Sequence, residues 1–152
     1  MANFYGTERT NYFRVTDEEK YNALFKRLYT DTGDKVLDFT KTDNNGDILH
    51  GFGAYGCIEF GPERKDNEEL EDDEEEYEDY EGGMDTFYEL LTEILPEGEA
   101  FIQVCIGNEK LRYLTADTVV VTRYEIQFFN AQKMAMDWAL EKTGVLPTEA
   151  KH

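Results

Sequence analysis

The residues of this sequence that are best suited to chemistry are carboxylates, and most of them are concentrated in one segment. Residues 66–81 hold twelve Asp and Glu in sixteen positions and no Lys or Arg. Removing those twelve charges from the formal net charge of −19 leaves −7 for the other 136 residues. Dense carboxylates attract basic surfaces and repel nucleic acid and anionic membranes. The segment therefore favours a positively charged protein partner and disfavours direct binding of DNA or RNA.

The spacing of these charges is close to that of a nucleic-acid backbone. As a helix, with a rise of about 1.5 Å per residue, the segment carries roughly one charge per 2 Å, against about 1.7 Å along duplex DNA. Extended, it carries one per about 4 to 5 Å, near the roughly 3.4 Å of a single strand. Two interpretations stay open, namely a solvated surface loop and a polyanion mimic that becomes ordered on a cationic partner.

The predicted partner-binding residues are the carboxylates of this segment and three at its edges. They are Glu63, Asp66, Glu68, Glu69, Glu71, Asp72, Asp73, Glu74, Glu75, Glu76, Glu78, Asp79, Glu81, Asp85 and Glu89. We expect them to dock on a groove lined by Arg and Lys, with an association that weakens steeply as salt rises.

Two short motifs have bland interpretations beside their functional ones. Residues 51–56 match G-x-G-x-x-G, but a strand rather than a helix is predicted to follow, so a bent strand is favoured over a phosphate loop. Residues 43–47 are similar to the start of a calcium loop, yet the glycine is fourth rather than sixth, and Ala54 occupies the place of the bidentate Glu. A hairpin turn is favoured there.

Catalytic residues are not predicted, and neither is a cofactor or a metal site. His50 and Cys57 are the nearest pair of a base and a nucleophile, and His50 is expected to form hydrogen bonds in a sheet instead. Cys57 and Cys105 lie in apolar runs and are predicted to be reduced core thiols in strands. Metal spacing of the C-x-x-C kind is absent. A hydrolase with two carboxylates in a cleft stays an alternative.

The first sixty residues read as a strand, a helix and a hairpin. Residues 11–15 predict a short strand, and Thr16 begins a capping box for a helix whose apolar stripe runs from Tyr21 to Leu28. Asn45-Gly46 predicts a tight turn with two positive φ angles. The strands around and after it are predicted at 36–39, 48–52 and 55–60.

The second half of the chain reads as helix, strands and helix. A second amphipathic helix begins at Met84 and stops before Pro96. Asn130 and Gly144 are the predicted caps of a final helix, with Trp138 on its core side. Between the helices, strands are predicted at 100–106, 111–114, 119–122 and 125–129, with turns at 107–108 and 116–117.

These elements predict an α+β fold in which antiparallel meanders of six to seven strands pack against about three helices, with one acidic insertion. A chain of 152 residues with 40% hydrophobic residues is long enough for a buried core. Residues 1–152 are expected to form one domain. The chain has no apolar stretch near the roughly 18 residues that span a bilayer, and the first ten residues lack a secretion signal, so a cytoplasmic location is expected.

With its length, aromatic-rich α+β core and acidic segment, the chain resembles small acidic anti-defence proteins of phages and mobile elements, which include anti-CRISPR inhibitors and antirestriction DNA mimics. Residues 11–15, 50–53 and 109–115 also resemble pieces of accessory proteins of mobile elements. The resemblance implies an inhibitor that binds the basic groove of a nuclease or of a CRISPR or restriction effector and blocks DNA or RNA binding. Carboxylates would stand where phosphates bind.

Two alternatives share the electrostatics of this prediction. One is an immunity protein or antitoxin that neutralises a basic nuclease toxin, and the other is a weak divalent-cation-binding protein, since any carboxylate cluster attracts such ions. An oligomeric state does not follow from the sequence.

Overall fold

The computed structural model describes residues 5–62, 83–111 and 113–148, and this part of the chain forms three helices and ten strands. The helices are α1 (Glu18–Phe25), α2 (Met84–Thr92) and α3 (Ala131–Thr143). The strands are β1 (Tyr5–Thr10), β2 (Leu28–Thr30), β3 (Leu37–Asp38), β4 (Lys41–Thr42), β5 (Ile48–Leu49), β6 (Phe52–Tyr55), β7 (Ile58–Phe60), β8 (Phe101–Glu109), β9 (Tyr113–Val121) and β10 (Ile126–Asn130). All strand pairs are antiparallel, which confirms the predicted α+β fold.

Six of the strands form one sheet in the order β10-β9-β8-β1-β6-β3. The first strand of the chain lies in its middle, because β1 pairs with β8 on one side and β6 on the other. Strand β1 thereby joins the two predicted meanders into a single sheet. The remaining strands form two short pairs, β2 with β7 and β4 with β5.

The two faces of the six-stranded sheet differ in burial. We call inner the face that carries Glu8, Phe52, Phe101 and Val119, all of which are buried, and outer the face that carries the alternate residues. Helices α1 and α2 cover the inner face, where Phe25 contacts Phe52 and Phe87 contacts both Phe52 and Phe101. Edge-to-face ring pairs of this kind stabilise a core beyond simple area burial.

Helix α1 differs at both ends from the prediction. Asp17 is the N-cap, and its side chain accepts a hydrogen bond from Lys20 N at 3.0 Å. Thr16 instead uses its hydroxyl to donate to the carbonyl of Ile94. Because the helix ends at Phe25, Leu28 belongs to β2 and not to the helical stripe.

The predicted strand at 11–15 is wrong, and the strand that precedes it was missed. Within that range only Phe13 forms a bridge, with His50, whereas Tyr5–Thr10 forms the full strand β1. The sequence of β1 carries polar side chains on both faces, so it has no apolar alternation by which a strand is ordinarily recognised.

The turn at 43–47 is a hairpin, as predicted, but not the tight two-residue type. Among the described residues only Lys110 has a positive φ without being glycine, so Asn45 does not. Gly46 has a φ of 85°, Asp43 N donates to Asp47 O, and Gly46 N donates to Asp43 O. The pattern is that of a turn closed by a left-handed glycine, which gives a three-residue loop.

The predicted turns at 107–108 and 116–117 are also wrong. Both pairs lie inside strands, because β8 and β9 pair without interruption from Phe101↔Val121 to Glu109↔Tyr113. The chain reverses instead near Lys110, whose φ is 52°.

Helix α3 has the predicted caps but not the predicted burial. The side chain of Asn130 accepts from Lys133 N, and Gly144 ends the helix in the left-handed conformation with a φ of 75°. The helix contacts β9 and β10, yet it has no buried residue, and Trp138 is exposed. The prediction that Trp138 belongs to the core is therefore wrong.

Candidate partner-binding surface

The described residues that flank the acidic segment, Gly61 and Gly83, are held close together on the core. Gly83 N donates to the carbonyl of Phe60 at 3.0 Å, which closes the chain between β7 and α2. Gly61 is fixed from the other side, because its N–H donates to Arg27 O and its carbonyl accepts from Arg27 Nε at 2.7 Å. The Arg27 guanidinium lies 4.1 Å from the centre of the Phe60 ring, which in turn packs on Phe87. These flanking residues, which we call the base of the segment, are thus a packed and hydrogen-bonded part of the fold.

Helix α2 continues the acidic character from this base. It begins after Gly83, whose φ of 95° is readily adopted only by glycine. Its buried side carries Phe87, Tyr88 and Leu91, and its exposed side carries Asp85 and Glu89, followed after four more residues by Glu93 at the C-cap. Side chains four residues apart lie on one face of a helix, so these three carboxylates form a stripe.

Of the predicted partner-binding residues, the structure describes Asp85 and Glu89. Both are exposed and lie on the stripe of α2, within two turns of the base. Glu63 and the twelve carboxylates of 66–81 lie outside the described residues. Glu93 was not predicted, although its spacing from Glu89 would have identified it.

A buried polar cluster on the inner face was missed by sequence reasoning. The carboxylate of Glu8 accepts hydrogen bonds from Ile58 N at 2.6 Å, from Gln103 Nε2 at 2.5 Å and from Cys105 Sγ at 3.0 Å. The Tyr88 hydroxyl donates to Gln103 Oε1 at 3.0 Å. Burial, together with the hydrogen bond to Glu8, raises the pKa of the Cys105 thiol, and burial also raises the pKa of Tyr88. These groups satisfy one another's hydrogen bonds and connect β1, β7, β8 and α2.

His50 forms the hydrogen bonds that the sequence predicts and is not paired with Cys57. Its Nε2 lies 2.5 Å from Glu18 Oε2, and its Nδ1 lies 3.1 Å from Thr40 Oγ1. The ring stacks on Tyr21 with centroids 4.0 Å apart. The Tyr21 hydroxyl is buried without a hydrogen-bond partner, and burial, with Asp38 and Glu18 nearby, raises its pKa.

Cys57 and Cys105 are both free thiols, as predicted, and both are partly buried. Cys105 lies in β8, whereas Cys57 lies in the link between β6 and β7 and not in a strand. Cys57 N donates to Asp31 Oδ1 at 2.8 Å. Partial burial, followed by the charge of Asp31, raises the pKa of the Cys57 thiol, which disfavours the nucleophilic thiolate.

The two short motifs at 51–56 and 43–47 form a strand with a glycine link and a hairpin turn, and not a phosphate loop or a calcium loop. Strand β6 occupies 52–55 of the G-x-G-x-x-G match and leads through Gly56 to strand β7 rather than to a helix. In the loop 43–47, Asp43 accepts from Asn45 N, Asp47 N and Arg14 Nη2. These bonds, above all that from Asp47 N, lower the pKa of Asp43 and occupy its oxygens.

Within the described ranges, no group of three or more His, Cys, Asp or Glu side chains is arranged to hold a metal ion. Among the same residues, no helix has both the length and the apolar character that a membrane span requires. Comparisons with protein-family models, with curated proteins and with solved structures gave no match to this chain.

Proposed function

We propose that this chain is a nucleic-acid-mimicking inhibitor. The acidic segment 66–81, with Glu63 before it and Asp85 and Glu89 after it, binds the basic groove of a nuclease or of a CRISPR or restriction effector and blocks the binding of DNA or RNA. The role is one of protein binding without catalysis, and the partner is a protein rather than a nucleic acid.

The observation that carries the proposal is a concentration of charge in one segment of the sequence, whose flanking residues are fixed on the core. Twelve of the 34 acidic residues fall in sixteen consecutive positions. The hydrogen bonds from Gly83 to Phe60 and between Arg27 and Gly61 fix the residues that flank the segment. Fixed flanks limit the conformational entropy that a segment between them can lose on binding a partner.

Helix α2 extends the acidic surface in a form that is already ordered. Its stripe of Asp85, Glu89 and Glu93 repeats every four residues, or about every 6 Å along a helix axis. Carboxylates held on a helix that is anchored through Phe87 and Leu91 keep their positions while a partner approaches. Such prearranged charge raises the association rate and sets the orientation of binding.

The test begins with the immobilised full chain in lysates of bacteria that carry nucleases and defence effectors. Proteins retained at low salt are challenged with a duplex of about 20 base pairs, and the purified target is then assayed for displacement of the same labelled duplex. We expect duplex DNA to release the target, and we expect affinity to fall as salt rises. Targets that stay bound under excess DNA would contradict the proposal.

A matched pair of variants separates local charge from total charge. Asp85→Asn with Glu89→Gln and Asp137→Asn with Glu141→Gln each remove two carboxylates that lie four residues apart on an exposed helix face. We expect the first variant to bind the target about fivefold to tenfold more weakly and the second to stay within about twofold. Equal losses in both variants would indicate a nonspecific effect of net charge.

Replacement of residues 66–81 by a neutral linker of equal length tests the segment itself. Loss of target binding with an unchanged circular-dichroism spectrum is the expected result. If the linker variant still bound the target, the target would have to bind another surface of the chain, and the proposed role of the segment would be wrong. Calorimetry with Ca²⁺ addresses the cation-binding alternative, because that alternative requires heat of binding with the parent and none with the linker variant.

A further inference from the structure

The outer face of the six-stranded sheet is free of negative charge throughout its described residues. Strand register assigns each residue to a face, because directly paired residues in antiparallel strands point the same way. The carboxylates of these six strands are Glu8, Asp38, Glu109 and Asp117, and all four occupy inner positions. The one charged residue at an outer position is Arg9, whose guanidinium lies 4.5 Å from the centre of the Phe39 ring. A carboxylate-free face is unexpected in a chain with a net charge of −19.

The same face exposes a contiguous set of large apolar side chains. Tyr55 and Ile106 flank Thr7 in one row of the register, and Val104 and Phe129 flank Thr118 in the row beside it. Tyr55 is 70% exposed, Ile106 60% and Val104 40%. Tyr5 and Leu114, which both lie opposite Asn108, extend the set at one end.

The exposed area is large enough to matter. With about 150 to 250 Å² for each fully exposed aromatic side chain, Tyr5, Tyr55 and Phe129 offer roughly 350 Å² of largely apolar surface, and Ile106, Val104 and Leu114 add to it. Patches on monomeric proteins rarely exceed about 300 to 600 Å². A stable interface buries about 800 Å² on each partner, of which a little more than half is apolar. The outer face therefore supplies most of the apolar area that a protein interface buries on one partner.

We propose that the outer face is the interface of a symmetric homodimer, in which the sheets of two copies pack face to face. The choice of a second copy rests on charge and on topology. Two chains of net charge −19 repel each other through most orientations, and this face brings no carboxylate of either sheet into contact.

The topology places helix α2, with its exposed Asp85 and Glu89, away from this interface. Helices α1 and α2 and the bond between Gly83 and Phe60 belong to the inner side, so each copy keeps them on its far side. Packed sheets lie about 10 Å apart, and the helices add a further layer, whereas the screening length at physiological salt is about 8 Å. Repulsion between the α2 carboxylates of two copies is therefore largely screened.

The test is the mass of the full-length chain in solution, by light scattering and sedimentation, at up to about 100 µM protein. We expect twice the chain mass, with dissociation on dilution. We also expect the dimer to be strengthened between about 0.05 and 0.5 M NaCl, because salt screens the repulsion between copies. Binding of a nucleic-acid-mimic target weakens over the same range, so failure of either proposal is recognised separately. A monomer under all these conditions overturns the dimer.

Matched isoleucine variants locate the interface. Ile106→Glu introduces a charge on the outer face, and Ile48→Glu introduces the same charge at a 43% exposed position in the β4-β5 pair. We expect Ile106→Glu to be monomeric and Ile48→Glu to remain dimeric, with both folded by circular dichroism. Tyr55→Glu on β6 is the second outer-face variant, for use if Ile106→Glu fails to fold. The proposed interface is overturned if a folded outer-face variant remains dimeric. It is also overturned if the parent chain is monomeric and binds a different protein through Ile106.

Discussion

The side-chain amide of Gln103 donates a hydrogen bond of 2.5 Å to the buried carboxylate of Glu8. The two residues are 95 positions apart in the sequence and lie on neighbouring strands, β8 and β1. Glu8 also accepts hydrogen bonds from Ile58 N and Cys105 Sγ, so this buried carboxylate has three hydrogen-bond donors. A buried charge is tolerated only when it is compensated in this way.

Replacement of Glu8 is expected to be among the most destabilising single changes in the chain. Glu8→Ala leaves three donors without an acceptor, which we expect to lower the free energy of unfolding by about 3 kcal/mol. Urea unfolding followed by circular dichroism measures the change. The control is Glu59→Ala, which removes an exposed carboxylate from β7, outside the six-stranded sheet, with an expected cost within about 0.5 kcal/mol. Similar costs for the two variants would refute the role assigned to the cluster.

Removal of the same hydroxyl from two buried tyrosines is expected to act in opposite directions. Tyr21→Phe removes a buried hydroxyl that has no hydrogen-bond partner, so we expect stability to rise by up to about 1 kcal/mol. Tyr88→Phe removes the donor to Gln103 Oε1, so we expect stability to fall by about 1 kcal/mol. Thermal and urea unfolding of both variants provide the comparison. A loss of stability in Tyr21→Phe would mean that this hydroxyl has a partner.

Gly53 is expected to resist replacement for a steric reason. A Cβ atom there would lie 2.9 Å from the carbonyl oxygen of Glu8 and 3.0 Å from Phe39 Cε2. Because the first contact is with backbone of the paired strand, we expect Gly53→Ala to cost about 3 kcal/mol. Gly33→Ala is the comparison, since Gly33 has open space but a φ of 86°, and conformational strain there costs about 1 kcal/mol. Urea unfolding measures both variants, and we expect Gly53→Ala to have the lower unfolding midpoint. A lower midpoint for Gly33→Ala would contradict the steric explanation.

Acid is expected to remove the contribution of Asp43. Its pKa is held below the ordinary value by the backbone N–H groups of Asp47 and Asn45 and by Arg14. A lowered pKa in the folded state gives stability that is present above the unfolded value of about 3.9 and is lost as pH falls through the lower folded value. The stability difference between the parent and Asp43→Asn should therefore shrink between about pH 5 and pH 2. A constant difference across that range would exclude this source of stability.

The sequence predicts helices more reliably than strand order in this chain, for a physical reason. The stripe of Phe87 and Leu91 is local, so α2 is recognisable from periodicity alone. Strand β1 is different, because its inner positions Glu8 and Thr10 are polar and become acceptable only beside partners from distant strands. No local pattern carries that information.

The candidate site divides in the same way. Charge density is a property of composition, so 66–81 is evident from sequence, as are Asp85 and Glu89. The closure of Gly83 on Phe60 depends on β7 meeting α2 and has no sequence signature. The carboxylate-free outer face likewise becomes visible only when register assigns Glu8, Asp38, Glu109 and Asp117 to the other side.

The central position of β1 has a consequence for the order of folding during synthesis. Tyr5 pairs with Asn108 and Thr10 with Gln103. One edge of β1 therefore cannot pair until about a hundred further residues have left the ribosome. Long-range pairing of this kind makes folding slow, because the loop must close before its contacts form. A nascent chain that ends before β8 exposes an unpaired strand edge and lacks the donors of Gln103 and Cys105 for Glu8. Completion of the sheet is thus delayed until most of the polypeptide has been translated.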